Sequence, residues 1–393
     1  MKRLFIIISF ILLSGFNKLL PQSSPDAEVY LLTCGPGTET YSIYGHCALR
    51  IVKPSENSDL VYNWGVFDFA TKNFAWKFAK GRLYYMLDTD SYEDFLRMYF
   101  YEQRWVQSQK INLEPEEISI LLGLVTENMK PENVKYLYDF FYDNCATRIR
   151  DLLEKSLGSK IVYPPQAKKE LLTFREEVGK FERPYPWLKT GIDLIMGTPG
   201  DKKAIFRDKM FLPLELQDGM SELVINRNGK MIPLLQNPST VIEFGSPDPK
   251  QHFLTTPLFI FSVVLILLII FFALVRNRCV VKVADLVIFC IFSLLSVLMI
   301  FFNFFTDHDE MNRNLNIIWL SPFVFFCLAA LILKKEWIIW FRIVFVLCII
   351  SFLMQLIASS AFNNAFIPVI LILALRSSAR AGFSWNPLTV DSF

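Results

Sequence analysis

From residue 27 to about residue 113 the apolar positions come in short runs: Val29–Thr33, Ala48–Val52, Leu60–Phe69, Leu83–Leu87 and Trp105–Leu113. Gly, Pro, Asn and Asp separate them, and β-prone runs bounded by turn residues predict a sheet. Thr71–Lys80 is rich in aromatic residues and reads as a helix. Glu114-Pro115-Glu116-Glu117 opens a clearer one that runs to Met129, with acidic side chains in the first turn where the helix dipole favours them. Tyr136–Tyr142 then returns as an aromatic strand and breaks at Asp143-Asn144 into a segment of helical period. In that segment Ile149, Leu152, Leu153 and Leu157 share one face, while Arg148, Arg150 and Asp151 fall elsewhere. Residues 159–251 are polar and punctuated by Pro and Gly, which predicts a helical and loop extension of the same domain, so that residues 27–251 form one unit.

At Pro257 the pattern changes. Pro257–Val275, Val283–Phe305, Ile317–Leu333 and Trp337–Ile357 each approach or reach the roughly 20 apolar residues that a helix needs to cross a bilayer. A fifth run, Ala361–Leu375, is shorter and carries Asn363 and Asn364. Residues 257–376 therefore predict an all-α transmembrane bundle of four or five helices. Arg276, Arg278 and Lys282 follow the first run, Lys334 and Lys335 the third, and Arg376 and Arg380 the fifth, with no comparable positive excess after the second or fourth. The positive-inside rule places the former group in the cytoplasm, and so puts residues 27–251 and the loop Thr306–Asn316 on the outer side. The start of the chain agrees: Met1-Lys2-Arg3, apolar Leu4–Phe16 and a polar, Pro/Ser-rich stretch read as a secretory signal within residues 1–20. The lack of an A-x-A-like cleavage site leaves an uncleaved anchor as the alternative.

Composition reinforces the membrane reading, because 53% hydrophobic residues and 37 phenylalanines exceed the norm for soluble proteins. A net charge of +2, with no basic cluster interleaved with aromatics, sets nucleic acid aside. Of the seven cysteines, only Cys34, Cys47 and Cys145 fall in the exported part. Three thiols leave at least one unbridged, with a Cys34–Cys47 disulfide open. No pair has C-x-x-C spacing, and one histidine among them is too few for a zinc site. No metal or cofactor is expected.

The candidate chemistry lies at the helix start after Asp143-Asn144. A thiol at Cys145 would feel the positive end of the helix dipole and unpaired backbone N–H groups, which lower its pKa and make it nucleophilic. His46, one of only three histidines, precedes a strand-like run, and a thiol with an imidazole on separate elements is the minimum of a cysteine nucleophile with its base. Asn63 is the preferred third member, to orient the imidazole, with Tyr62 and Asp68 as alternatives. Arg148 is a candidate substrate contact. The bland reading of Cys145 is a buried structural thiol.

Here the residues carry a resemblance. The segments L-L-T-C-G-P-G-T-E-T-Y-S-I-Y-G-H-C-A-L-R-I, L-V-Y-N-W-G-V-F-D-F and Y-D-N-C-A-T-R-I-R-D resemble the Lnb N-terminal periplasmic domain family, and W-L-K-T-G-I-D-L-I-M-G-T-P-G-D and F-L-P-L-E-L extend the likeness to about Leu216. T-D-H-D-E-M-N-R-N-L-N-I-I-W-L-S-P is similar to the membrane part of the Lnb lipoprotein N-acyltransferases of Bacteroides-type bacteria. The His-before-Cys order, with Asn-Cys opening a helix, is also similar to permuted papain-like acyltransferases of the lecithin:retinol type. One departure is Cys47, where the family more often has Ser.

The resemblance implies an α+β permuted papain-like periplasmic domain on a transmembrane bundle in the bacterial inner membrane. It further implies acyl transfer from a phospholipid donor, through a Cys145 thioester, to the N-terminal amine of a diacylated lipoprotein. In that light His308, Asn314 and Asn316 would close the site at the membrane surface, against a lipid headgroup or the incoming amine. Two rival readings are a membrane-anchored peptidoglycan peptidase and a non-catalytic membrane sensor. A peptidase needs one anchor, and not four or five spans. Acyl-chain preference, donor position and oligomeric state are not encoded in any motif.

Overall fold

The computed structural model describes residues 26–165, 172–357 and 362–383. The signal or anchor expected in residues 1–20 and the start of the fifth apolar run at Ala361 lie outside the described residues. The exported part is built on strands β1 (Glu28–Cys34), β2 (His46–Lys53), β3 (Ser58–Val66), β4 (Tyr84–Ser91), β5 (Val106–Lys110) and β6 (Lys135–Leu137). A small separate sheet holds β7 (Ile161–Val162), β8 (Val224–Arg227) and β9 (Lys230–Pro233). The last strand, β10 (Ser239–Ile242), returns to the main sheet, whose order is β10-β5-β1-β2-β3-β4-β6 with antiparallel neighbours throughout. Residues 159–251 are therefore more than helix and loop. They close one edge of the main sheet.

Between the strands lie α1 (Phe74–Ala79), α2 (Tyr92–Tyr101), α3 (Pro115–Asn128) and α4 (Cys145–Leu157), followed by α5 (Phe174–Glu182), α6 (Pro186–Ile195), α7 (Phe206–Lys209) and α8 (Pro213–Glu222). Strand alternation sends successive side chains to opposite faces. Leu31, Leu49 and Ile51 pack against Leu121 of α3, Ile149 and Leu153 of α4 and Leu216 of α8. Leu32, Cys34, Ala48 and Val61 face the other way, against Phe95 and Tyr99 of α2. Cys34 and Cys47 thus belong to adjacent strands but to opposite faces of the sheet, and both are free thiols. The bridge left open by the sequence is not formed.

One expected strand is mostly a turn. Pairing in Tyr136–Tyr142 stops at Leu137, because the Asp139 carboxylate accepts from the Phe141 and Tyr142 amides at 2.8 and 2.9 Å. The backbones of Asp139 and Asp143 pair with each other, and this reversal delivers Asn144 to the start of α4.

The C-terminal region contains α9 (Pro257–Leu274), α10 (Arg278–Phe304), α11 (Phe323–Leu333), α12 (Ile338–Ile357) and α13 (Phe366–Arg380). Three of them, α9, α10 and α12, are long and apolar enough to cross a membrane. The third run is helical over only 11 residues, because Leu315–Ile317 makes a tighter turn and Pro322 sets a new helix start. The fifth begins after the Asn363-Asn364 turn and continues through Arg376 and Arg380. These two arginines are not loop charges. Both are buried in α13 and bind Asp285 of α10, Arg376 at 2.7 and 3.0 Å and Arg380 at 2.7 Å.

Candidate active site

The Asn144 side chain caps α4, its oxygen accepting from the Ala146 and Thr147 amides at 2.8 and 2.9 Å. Its amide nitrogen donates to the carbonyls of Phe140 and Phe211 at 2.7 and 2.9 Å, so the cap is anchored on both sides. Cys145 is the first helical residue. Its own N–H lies in the first turn, where no intrahelical acceptor exists, and is directed with the helix dipole toward whatever binds at the thiol. Gly65 sits against this helix start in a bulge of β3 with φ +92, a backbone conformation that favours glycine; a Cβ there would only reach ordinary contact, 3.8 Å, with Cys145 Cβ.

His46 begins β2 beside the helix start, lines the same cavity as Cys145 and is close enough for each to act on the other's pKa. Its Nε2 lies 2.6 Å from Asn63 Oδ1. An amide oxygen only accepts, so Nε2 carries the hydrogen and Nδ1 is the nitrogen left for the thiol. Burial works against a charged imidazole here, yet the Cys145 thiolate and Asn63 hold the His46 pKa above its ordinary value. Cys145 is held well below the usual thiol range, first by the Cys47 S–H that donates to it and then by the charge of His46, against the effect of burial. Burial pushes Cys47 well up, so Cys47 remains a neutral donor. The three groups set a thiol of lowered pKa beside an imidazole of raised pKa, an arrangement that favours the thiolate, with a neutral thiol at its back.

Cys145 and His46 open onto a cavity of about 860 Å³ whose walls are mostly apolar and aromatic, whereas Cys47 is fully buried in the core and does not line it. The exported domain forms most of the wall, and the loop between α10 and α11 completes it with His308, Glu310 and Met311. That loop is docked firmly. Thr306 Oγ1 donates to the Ala79 carbonyl at 2.9 Å, His308 Nε2 is 2.7 Å from the Phe78 carbonyl, and the Gly197 N–H donates to the Glu310 carbonyl at 2.8 Å. The cavity is a joint product of the sheet domain and the helical domain.

Sequence models of two domains match the chain: the Lnb N-terminal periplasmic domain over residues 17–172 and the Lnb transmembrane domain over residues 248–384. The chain belongs to the Lnb family. No curated protein and no solved structure matched it. As an Lnb-family chain it is a membrane protein with a periplasmic N-terminal domain followed by a helical transmembrane region.

The structure brings together Cys145, His46 and Asn63 and places His308 on the same cavity. Tyr62 and Asp68 are not at the imidazole: Tyr62 packs against the core on the α4 face, and Asp68 accepts from the Ala70 amide in a turn. The remaining candidates lie elsewhere. Arg148 is bound to Asp143 at 2.6 and 2.8 Å and stacks on the Tyr136 ring, so its charge is used in holding α4. Asn314 and Asn316 are buried and donate to the Asp193 and Leu194 carbonyls at the end of α6. They join the two domains and do not line the cavity. Two cavity residues went unnoticed in the sequence. Tyr138 packs beside Gly65 and Cys145, hidden in a run that looked like a strand, and Glu310 looked like one more charge in a polar loop.

Proposed function

We propose that this protein is a lipoprotein N-acyltransferase. It would move an acyl chain from a membrane phospholipid, through a Cys145 thioester, to the N-terminal amine of a diacylglyceryl-cysteine lipoprotein. The observation that carries this reading is Cys145 beside His46 at the wall of an apolar cavity built jointly with the transmembrane domain. A peptide substrate would need polar walls to meet its backbone groups, whereas an acyl chain needs apolar ones.

In the first half-reaction the Cys145 thiolate attacks the ester carbonyl, and the C–S bond forms while the C–O bond breaks. His46 gives its proton to the departing glycerol oxygen, leaving a lysophospholipid. The Cys145 N–H is placed to stabilise the oxyanion. In the second, a neutral amine attacks the thioester carbonyl, the C–N bond forms and the C–S bond breaks. His46 takes the amine proton, which restores the resting ion pair. Asn63 holds the imidazole plane throughout.

Purified protein supplied with phospholipid and a diacylated lipopeptide should yield the triacylated product, and should leave peptidoglycan fragments intact. Cleavage of those fragments without lipid transfer would replace this reading with the peptidase.

A further inference from the structure

The acyltransferase scheme leaves one proton unassigned. An α-amino group has a pKa near 7.7–8.0 and so reaches the site largely as the ammonium, R–NH₃⁺. Forming the amide removes two protons, and restoring the Cys145–His46 pair accounts for only one. The other goes to water before the amine binds unless the cavity supplies a second acceptor, which would let the ammonium itself serve as substrate.

Among the described residues that line the cavity, Glu310 is the only carboxylate. It is 9% exposed, and its Oε1 lies 3.3 Å from His308 Nδ1. His308 Nε2 is 2.7 Å from the Phe78 carbonyl, an acceptor, so Nε2 carries the hydrogen. Nδ1 faces the carboxylate and donates to it while the two are paired; it becomes the basic nitrogen once an incoming ammonium takes its place on Glu310 and the ring has given that proton to water. A carboxylate on an otherwise apolar wall suits a cation and repels a phosphate. We propose that Glu310 binds the acceptor's terminal ammonium and that His308 Nδ1 takes its first proton, a division of labour that rests on the acyltransferase reading above.

The step balances. One N–H bond of R–NH₃⁺ breaks and its proton goes to His308. The freed R–NH₂ attacks the thioester, and its second proton goes to His46 as the C–S bond breaks. Protonated His308 then returns its proton to water. The surroundings favour this exchange. Burial lowers the basicity of His308, but Glu310, the Phe78 carbonyl and Asp139 together raise it above the ordinary value. Groups facing the pair are Asp139 from the turn before Cys145, Tyr85 from β4, and Asp307 with its partner Arg82. Asp139 is itself held up, by burial first and, among the charges, by Glu310.

The same ammonium chemistry occurs in an ethanolamine headgroup, and separate half-reactions distinguish the two sources. Wild type, Glu310→Gln and His308→Ala are loaded with acyl chain from phosphatidylethanolamine or from phosphatidylglycerol. The thioester is then chased with diacylated lipopeptide between pH 6 and pH 9.5. Both variants should load normally from either lipid, which also shows that they are folded. Their chase rates should fall as the pH drops below the amine's own pKa, by roughly tenfold per unit, and approach wild type near pH 9.5. The wild-type profile should break at lower pH. A loss that is uniform across pH, or no loss, overturns the proposal. Slowed loading from phosphatidylethanolamine alone would move Glu310 to the donor headgroup and overturn the assignment to the acceptor. Failure of wild type to load at all would reject the acyltransferase reading itself.

Discussion

At the scale of single residues, two thiols stand beside one imidazole, and their surroundings separate their roles. Cys145 faces the cavity and is stabilised as thiolate, while Cys47 sits in the core and donates. Iodoacetamide should therefore label Cys145 and spare Cys47 in the folded protein, with a rate that levels off at lower pH than that of an ordinary thiol. In Cys47→Ala the labelling rate at pH 7 should drop, since the largest contribution lowering the Cys145 pKa has been removed. Labelling unchanged by that substitution would mean that His46 and the helix start suffice. His46→Ala should reduce acyl transfer by roughly 10²–10⁴-fold. Asn63→Ala removes one hydrogen bond to a charged ring, about 1.5–3 kcal/mol, and should lower kcat some ~10–150-fold with KM little changed. The pairing of a helix-start cysteine with a strand-start histidine was legible in the sequence, because an Asn cap and a change of period mark the helix start. Glu310 was not, since nothing local distinguishes it from Asp307 or Asp309. Only the docking of its loop onto α1 and Gly197 brings it to the cavity.

At the scale of elements, alternation found β1 to β5 because each has a buried face, and an acidic first turn found α3. It missed β10, an edge strand whose first three residues are exposed, and it missed α2, although Ser91 caps that helix by accepting from the Asp94 amide at 3.1 Å. Aromatic content in Tyr136–Tyr142 imitated a strand, but only Tyr136 and Phe141 are buried and the backbone is turned by Asp139. The element that governs assembly is the α10–α11 loop. At Gly197 a Cβ would lie 1.8 Å from the Asn312 carbonyl oxygen, so the backbones touch. Gly197→Ala should push this loop away, leaving Cys145 reactive to iodoacetamide but slowing transfer and increasing proteolysis at 306–316. Wild-type transfer in that variant would show that the loop contributes no part of the site.

At the scale of the whole molecule, the cavity lies where the sheet domain meets the helical domain. Trp76 packs on Phe301 and Trp187 on Phe261, which puts aromatic side chains at the ends of two membrane helices, as at a bilayer surface. Within the helical domain Asp285 joins Arg376 and Arg380 across α10 and α13, a pairing too distant in sequence to read from charge runs. Asp285→Ala takes from the buried Arg376 its carboxylate partner and should cost about 3–5 kcal/mol, seen as a lower Tm in detergent. An unchanged Tm would mean that the cluster contributes little to holding these helices together. The central claim is that Cys145 carries the acyl chain between two lipid substrates. Mass spectrometry of the Cys145 peptide, after incubation of the wild-type protein with phospholipid alone, tests it most directly. The account predicts an acyl adduct on Cys145 that hydroxylamine removes and that disappears when lipopeptide is added. An adduct on Cys47, or one that forms only with both substrates present, would contradict it.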